Sequence, residues 1–222
     1  MTAFALSTAE LCKRTSLLRR RPDWTPEAFR AHWAGPHADI ACSIPGIARY
    51  TQNRTIDCLW RTSPTAYECD GLVELEFQSE TALLAANTHV AVKQLLPEDE
   101  LRFLQAITLC RVPQGAQQVW PGFAKVMLAA RWQAPSAALS SWSHWLHELD
   151  CITWSVEEVS STLHRPHLQH ESEPPQLFAN LWCESERAAR RAFEQPSGWR
   201  AHAPQYLAQA SAWLVDPLAI IE

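Results

Sequence analysis

The segment LVELEF, residues 72–77, decides the fold because the chain contains a similar segment, LFANLW, at residues 177–182. Each segment reads as a buried strand, and each is followed by a Ser-Glu pair and an alanine-rich stretch typical of a helix. The pair His32-Trp33 recurs in the same way as His144-Trp145. The two spacings, 105 and 112 residues, predict an internal repeat in which the chain consists of two similar halves.

Each half reads as the order βαββαβ. In the first half we expect strands near 15–20, 48–57, 71–77 and 107–112, helices near 26–43 and 79–87, and a helical turn near 98–105. In the second half we expect strands near 123–132, 152–159, 176–183 and 212–221, and helices near 137–149 and 184–194. This order is that of the ferredoxin-like, split βαβ fold, whose sheet has one face without helices. We therefore predict an α+β fold in which two ferredoxin-like halves, residues 1–115 and 120–222, form an intramolecular dimeric α/β barrel around a linker near 113–121.

Composition limits the functions that the chain can have. Its 222 residues are 47% hydrophobic and carry a net charge of −5, which does not fit the basic face that nucleic acid requires. No apolar run approaches the ~18 residues of a membrane-spanning helix, and residues 1–11 lack a signal-peptide pattern. Seven scattered cysteines without a CxxC pair favour reduced thiols. We therefore expect a cytoplasmic protein without a nucleic-acid or membrane partner. The eleven tryptophans fit either bulky packing or an aromatic-lined cavity.

Residues 19–37, RRRPDWTPEAFRAHWAGPH, read as the end of a strand, a turn and a helix with a histidine on its apolar side. Thr25 is a suitable N-cap, and Pro26 suits the first helical position. The apolar stripe comprises Phe29, Trp33, His37, Ile40 and Ile44. Gly35-Pro36 should kink the helix just before His37. An inward histidine needs a partner, and beside a cavity it can transfer protons.

These residues carry a family resemblance. The matching motifs are residues 19–37, Pro45-Gly46-Ile47 with Tyr50 and Asn53, and Asp70-Gly71 with Glu74 and Phe77. Together they resemble the EthD family of dimeric α/β-barrel proteins over about residues 14–112, and the second half resembles it only in layout, as a degenerate copy. The resemblance implies the ferredoxin-like fold and barrel pairing. It also implies relatives that act as decarboxylases, cyclases or isomerases on small aromatic or lactone compounds, but no single reaction, because this fold hosts many.

His37 is the main catalytic candidate, because it matches the histidine of the family's first helix and lies on the inward stripe. Its alternative role is that of a hydrogen-bonded core histidine, while His32, at the edge of the stripe, better suits the surface or helix packing. Tyr50 is a second catalytic candidate and Asn53 a substrate-binding candidate. Both could orient a carbonyl or a phenol, or could only satisfy strand ends. Trp33, on the stripe of His37, is also a substrate-binding candidate.

The alternation of residues 72–77 turns Val73, Leu75 and Phe77 toward the helices and Glu74 and Glu76 toward the barrel interior. A buried carboxylate is costly unless it is paired. The cations on candidate strands are Arg20, Arg54, Arg111, Lys125 and Arg131. We take Glu74 as a catalytic candidate, and Glu76 and Arg20 as substrate-binding candidates. The alternatives are a structural ion-pair network and a strand face open to water at the barrel mouth.

The second half carries weaker signals. His144 and His147 fall outside the apolar side of the helix near 137–149, and the Pro-His element is missing, so we expect that half to have lost its proton-transfer group. His164, His167 and His170 are spaced like metal ligands. A proline interrupts them, so we predict a solvated loop and no metal site.

We therefore expect an enzyme that acts on a small hydrophobic or aromatic molecule by acid/base chemistry, of lyase, isomerase or oxidoreductase type, without a cofactor. The resemblance leaves haem-assisted oxidation open, because some relatives that share the barrel are monooxygenases. The rival hypotheses are a non-catalytic ligand-binding or accessory protein with a Trp-lined cavity, and a structural remnant. A homodimer of fused barrels is also compatible with the sequence.

Overall fold

A long antiparallel sheet runs through both halves of the chain. The computed structural model describes residues 12–112, 120–133, 149, 151–194, 203 and 205–222. Within them nine strands form one sheet, and helices lie against it. None of the described helices is both long and apolar enough to cross a membrane.

The first half, residues 12–112, contains four strands and the helices between them. The strands are β1 (Cys12–Arg20), β2 (Ile47–Arg61), β3 (Gly71–Phe77) and β4 (Leu104–Val112). The helices are α1 (Pro26–His32), α2 (Ala38–Cys42), α3 (Glu80–Ala86) and α4 (Leu96–Phe103). A π-helical turn, Trp33–His37, joins α1 to α2, and a second one, Ala91–Leu95, precedes α4. The first half is therefore an α+β unit with the expected element types.

The second half, residues 120–222, adds five strands and one described helix. The strands are β5 (Ala124–Trp132), β6 (Thr153–Glu158), β7 (Ser161–Leu163), β8 (Leu177–Cys183) and β9 (Leu207–Ile221). The helix is α5 (Glu186–Glu194). The predicted helix near 137–149, with His144 and His147, and most of the predicted linker near 113–121 lie outside the described residues.

The two halves have the same strand order. The sheet runs β6-β8-β5-β9-β2-β3-β1-β4-β7. When the short edge strand β7 is left out, each half places its second strand beside its third, then its first, then its fourth, which is the antiparallel order of the ferredoxin-like fold. The halves meet where the long strands β2 and β9 pair antiparallel from Tyr50↔Ile221 to Arg61↔Ser211.

The outermost strands of the sheet, β6 and β7, are neighbours in sequence. Only Val159 and Ser160 separate them. The amide of Val159 donates to the carbonyl of Gln176, just before β8 (2.8 Å), whereas the amide of Ser160 donates to the carbonyl of Arg111 in β4 (2.9 Å). This short segment therefore contacts strands of both halves.

The buried apolar residues form three clusters. One lies under the helices of the first half and includes Phe29, Trp33 and Phe103, and another lies under α5 and includes Leu128 and Phe193. The third draws on both halves, through Leu17, Leu72, Met127, Phe178 and Trp213. Residues of the two halves thus share one core on the sheet face away from the helices.

Several elements differ from the prediction in their extent. The helix expected over 26–43 is interrupted by the π-helical turn, because Pro36 has no N–H to donate within it. The turn expected near 98–105 is a full helix, α4, which begins with Leu96-Pro97. Strands β2 and β9 are each 15 residues long because they pair with each other, a long-range contact that a local pattern does not report.

Candidate active site

The helical segment from α1 to α2 places His37 inside the protein. The Thr25 hydroxyl caps α1 by accepting the amide proton of Ala28 (3.2 Å), and Pro26 occupies the first turn. Phe29 and Trp33 are buried below it, and His37 at the end of the π-helical turn is 7% exposed. The inward position that the periodicity predicts for His37 is therefore what the structure has.

Asp99 of α4 connects His37 to His32. Its Oδ2 atom lies 3.0 Å from Nδ1 of His37, and its Oδ1 atom lies 3.0 Å from Nε2 of His32. Burial raises the pKa of Asp99, but the hydrogen bond from His37 and the charges of both histidines outweigh it, so that its pKa lies below the ordinary value. Of the two roles expected for His32, the surface or helix packing, its contact with the buried Asp99 of α4 fits helix packing.

Phe103 holds the two imidazole rings in place. Its ring centroid lies 4.8 Å from that of His32 and 5.1 Å from that of His37, and Trp24 covers His32 from another side at 5.3 Å. An ionised carboxylate can only accept, so His37 presents its Nδ1–H to Asp99. The Nε2 atom of His37 has no hydrogen-bond partner among the described residues. His37 can therefore give or take a proton there.

A small cavity lies beside His37, between the helices and the sheet of the first half. Its volume is about 40 Å³. Its wall includes Arg14, His37, Ile44, Tyr50, Phe77 and Glu100. None of the described residues around it is a tryptophan. The tryptophan content was expected to reflect either bulky packing or an aromatic-lined cavity. The cavity beside His37 is not the Trp-lined cavity of the second interpretation.

Tyr50 is fully buried at the cavity wall. Its hydroxyl oxygen accepts a hydrogen bond from Nε2 of Gln52 (2.7 Å), which also donates to the carbonyl of Trp33 (2.8 Å). Burial raises the pKa of Tyr50, so its hydroxyl stays protonated and can donate a hydrogen bond. Of the predicted site residues, Tyr50 is the one that the structure brings to the cavity of His37.

Arg165, which follows β7, closes the cavity from the second half of the chain. Its Nε atom lies 2.8 Å from Oε2 of Glu100, and its Nη1 donates to the carbonyl of Val92 (3.3 Å). Its side chain is 12% exposed. The cavity of the first half therefore has a wall residue from the other half.

Asn53 and Glu74 lie on the opposite face of the sheet from His37. Glu74 lies 2.6 Å from Nζ of Lys13 and 2.6 Å from Nζ of Lys125, and it accepts a hydrogen bond from Nδ2 of Asn53 (2.8 Å). Lys13 also contacts Glu157 at 2.6 Å, and all five side chains are buried. Burial raises the pKa of Glu74, but Lys125 and Lys13 outweigh it and keep its pKa well below the usual range. The expectation that Asn53 and Glu74 assist His37 is wrong. Asn53 lies three positions from Tyr50 on β2, and Glu74 lies between Val73 and Leu75 on β3, so strand alternation turns both away from the helix side.

The remaining predicted residues have separate partners. Glu76 is buried and accepts a hydrogen bond from Arg49 (3.1 Å), and Arg20 pairs with Asp70 (3.0 Å). Of the five cations proposed to pair with the strand carboxylates, only Lys125 does so. The others pair elsewhere: Arg54 with Asp216, Arg111 with Glu80, and Arg131 with Glu173. The structure therefore bears out the ion-pair network that was the alternative reading of Glu74, and it places Glu76 and Arg20 outside the cavity.

Trp33 serves packing at the sheet. A Cβ atom at Gly71 would lie 2.4 Å from the Trp33 ring. Only glycine therefore leaves room at this strand position for the indole to pack against the sheet. Trp33 is fully buried and does not line the cavity, so the substrate-binding role expected for it does not fit its position.

Sequence reasoning missed three residues of the site: Arg14, Asp99 and Arg165. The alternation of β1 carries a signal for Arg14, because Arg14, Ser16 and Leu18 face the cavity together. Asp99 was missed because residues 98–105 were expected to be only a turn. No local pattern could place Arg165, which reaches the cavity by strand pairing between the halves.

The histidine-rich segment after β7 does not form a metal centre in the described part of the chain. The rings of His164 and His170 lie 4.1 Å apart, but no group of three or more His, Cys, Asp or Glu side chains in that part could hold a metal ion. The backbone of His167 has a positive φ of 69°, as in a turn.

Comparison with known proteins gives the site its context. Residues 21–106 match the EthD domain family. This stretch of the chain is similar to an EthD domain. His32, His37, Tyr50 and Asp99 all lie inside the matched stretch, whereas Arg14 and Arg165 lie outside it. No curated protein matches the chain.

Solved structures extend the similarity beyond the EthD domain. An anthrone oxidase-like protein aligns over 96% of this chain and 94% of its own, with a TM-score of 0.60 and 11% identity. A candidate monooxygenase from Lactobacillus acidophilus NCFM aligns over 95% of each chain, with a TM-score of 0.50 and 9% identity. An EthD family protein from Bacillus halodurans C-125 aligns over 49% of this chain and 99% of its own, with a TM-score of 0.37 and 21% identity. The first two alignments show that this chain shares its fold with those two proteins over nearly its whole length.

Proposed function

We propose that this protein is an enzyme in which His37 transfers a proton to or from a small hydrophobic or aromatic molecule bound at the EthD domain. The observation that carries this proposal is the position of His37, whose Nδ1 is held by Asp99 while its ring lines an internal cavity. A fixed imidazole beside a cavity is suited to general acid/base chemistry near neutral pH.

We assign different roles to Asp99 and Tyr50, which lie near His37. Asp99 selects the tautomer of His37 that leaves Nε2 available, and it stabilises the ring when it becomes charged. The protonated hydroxyl of Tyr50 can hold a carbonyl or phenolate oxygen of the substrate. This set supports proton-driven lyase or isomerase chemistry, with an oxidoreductase of the same acid/base type as the second option.

Haem does not fit the structure beside His37. The cavity of about 40 Å³ is far smaller than a porphyrin. We therefore derive no step through haem.

The test is proton exchange catalysed by the unmodified protein and by two variants. Aromatic and lactone compounds with an acidic C–H are incubated in D₂O, and deuterium incorporation is followed by proton NMR. We expect His37→Ala to lower the exchange rate by about 10²- to 10⁴-fold, the usual contribution of a general acid or base. His170→Gln, which changes an exposed histidine away from the cavity, should leave the rate unchanged. Equal rates in the unmodified protein and in His37→Ala would refute the acid/base role.

We also infer that the sheet closes into an intramolecular barrel of two ferredoxin-like halves. Support comes from β2 pairing with β9 at one junction, and from the β6–β7 segment contacting β8 and β4 at the other. A closed sheet leaves no strand edge exposed to other chains. In this arrangement residues 1–115 carry the site, and residues 120–222 are the degenerate half that completes it through Arg165.

A further inference from the structure

We propose that the EthD-domain site binds a small carboxylate anion, whose charged group pairs with Arg14 and Arg165 and whose apolar body lies in a groove outside them. This inference rests on the proposed function for its relevance to catalysis, but it concerns binding and can be tested separately.

Arg14 is a buried cation with no carboxylate partner among the residues that the structure describes. It is 7% exposed, and in the described part of the chain no Asp or Glu oxygen lies within ion-pair distance of it. Its Nη2 atom makes one long hydrogen bond to Oδ1 of Asn87 (3.4 Å), and its guanidinium lies 5.8 Å from the ring centroid of Phe77. A buried charge is costly unless it is paired, so this guanidinium is poised to receive an anion.

The surroundings of Arg14 add positive charge. Burial and the nearby charges of Arg165 and Arg111, opposed by Glu100, together lower the pKa of Arg14 to about 10. Glu100 already has Arg165 as its partner. Two guanidinium groups therefore share one carboxylate at the cavity wall, and an anion would restore the balance of charge there.

A groove on the outer side of Arg14 and Arg165 gives access to this position. It has a volume of about 330 Å³, and the two arginines and Leu109 also line the inner cavity of about 40 Å³. Its remaining described wall consists of Asn87, Val92, Lys93, Pro97, Leu163, His164 and Pro166. No acidic residue occurs among these residues, although the protein as a whole carries a net charge of −5. The groove is therefore a locally basic entrance with apolar walls.

The volumes fix the orientation of the ligand. The inner cavity can hold a carboxylate group or a few waters, whereas a ring needs the space of the outer groove. The carboxylate therefore points inward, between the two guanidinium groups and toward the side of His37. Arginine suits this role because its planar guanidinium can donate two parallel hydrogen bonds to a carboxylate.

The experiment is isothermal titration calorimetry of the unmodified protein with benzoate, benzamide and acetate at constant ionic strength and neutral pH. Benzamide has the shape of benzoate without its charge, and acetate has the charge without the ring. We expect benzoate to bind at least tenfold more tightly than either. Equal affinities for benzoate and benzamide, or no detectable benzoate binding, would overturn the proposal.

Matched variants locate the anion. Arg14→Gln and Arg165→Gln should each weaken benzoate binding by about 10- to 100-fold, the usual effect of losing a hydrogen bond to a charged group. They should leave benzamide binding within about twofold. Arg54→Gln, which removes a strand arginine paired with Asp216 away from the groove, is the control and should bind benzoate normally. Unchanged benzoate affinity in folded Arg14→Gln, as judged by circular dichroism, would refute the assignment. Because calorimetry reports binding and not turnover, its failure and a failure of the proton-exchange assay can be told apart.

Discussion

At the scale of single residues, the site depends on one carboxylate shared by two histidines. His32 and His37 lie on either side of a π-helical turn, and the extra residue in that turn lets both rings reach Asp99. A regular helix would turn residues five positions apart to different sides, at about 100° per residue. The turn that Gly35-Pro36 imposes on the helix is therefore part of how the site is built.

Asp99→Asn tests the positioning role of this carboxylate. Asparagine has the same shape but can present its NH₂ group to His37, so the ring loses its preference for the Nδ1–H tautomer. We expect proton exchange to fall at least tenfold, and the ¹⁵N chemical shifts of the His37 ring to show more of the other tautomer. An unchanged tautomer together with an unchanged rate would show that Asp99 only supports packing.

The same variant has a predictable effect on stability at different pH values. The folded protein holds the pKa of Asp99 below its ordinary value of 3.8, so the ionised form stabilises the fold above that pH, and this stabilisation is lost as the pH falls through the lower, folded value. Chemical denaturation should show the unmodified protein about 1–2 kcal/mol more stable than Asp99→Asn near pH 6. The difference should shrink as the pH falls below 3.8.

At the scale of elements, the two faces of each strand have different roles. Strand β2 sends Tyr50 and Gln52 toward the helices and Asn53 toward the shared core. Strand β3 likewise sends Val73 and Leu75 to the helix side and Glu74 to the other. The alternation predicted for β3 is confirmed, but grouping Asn53 and Glu74 with His37 ignored that this alternation separates them.

Glu74→Gln measures how much the buried ion pairs between β1, β3 and β5 contribute to the free energy of unfolding. The amide cannot balance the buried charges of Lys13 and Lys125, so we expect the free energy of unfolding to fall by about 3–5 kcal/mol. Glu80→Gln, which removes an exposed partner of Arg111, should cost less than about 1 kcal/mol. A loss at Glu74 no larger than that at Glu80 would mean that the lysines find other partners.

The sequence predicts elements better than contacts. The first helix, the third strand and the inward position of His37 follow from caps and periodicity, which are local properties. Asp99 was missed because helix packing brings it to the histidines from a segment expected to be only a turn. Arg165 and Lys13 were missed because pairing between strands far apart in the chain brings each of them close to the groups that it contacts, whereas Lys125 was among the candidate partners of Glu74. Helix α4 is longer than the turn expected near 98–105, because it begins with Leu96-Pro97 and proline is well accommodated in the first turn of a helix.

At the scale of the whole molecule, the proposed closure of the sheet can be tested by measuring the exchange of two backbone amides. In a closed barrel the amides of Val159 and Ser160 are bonded to different neighbouring strands, and we expect both to exchange with solvent as slowly as that of Glu157, which lies two residues before Val159 on the side of β6 that bonds to β8. Hydrogen exchange followed by NMR measures them individually. Slow exchange at Val159 with fast exchange at Ser160 would indicate a sheet that opens between β7 and β4.

The place of Arg165 has a consequence for how such a protein can change. In a homodimer of identical subunits, every substitution appears twice, and a residue cannot be adapted to cover its partner's pocket without altering its own. Joining the two copies in one polypeptide removes that constraint. One half can then lose its own catalytic residues and still supply the residue that closes the cavity of the other half. The second half would therefore be retained even if it catalysed no reaction.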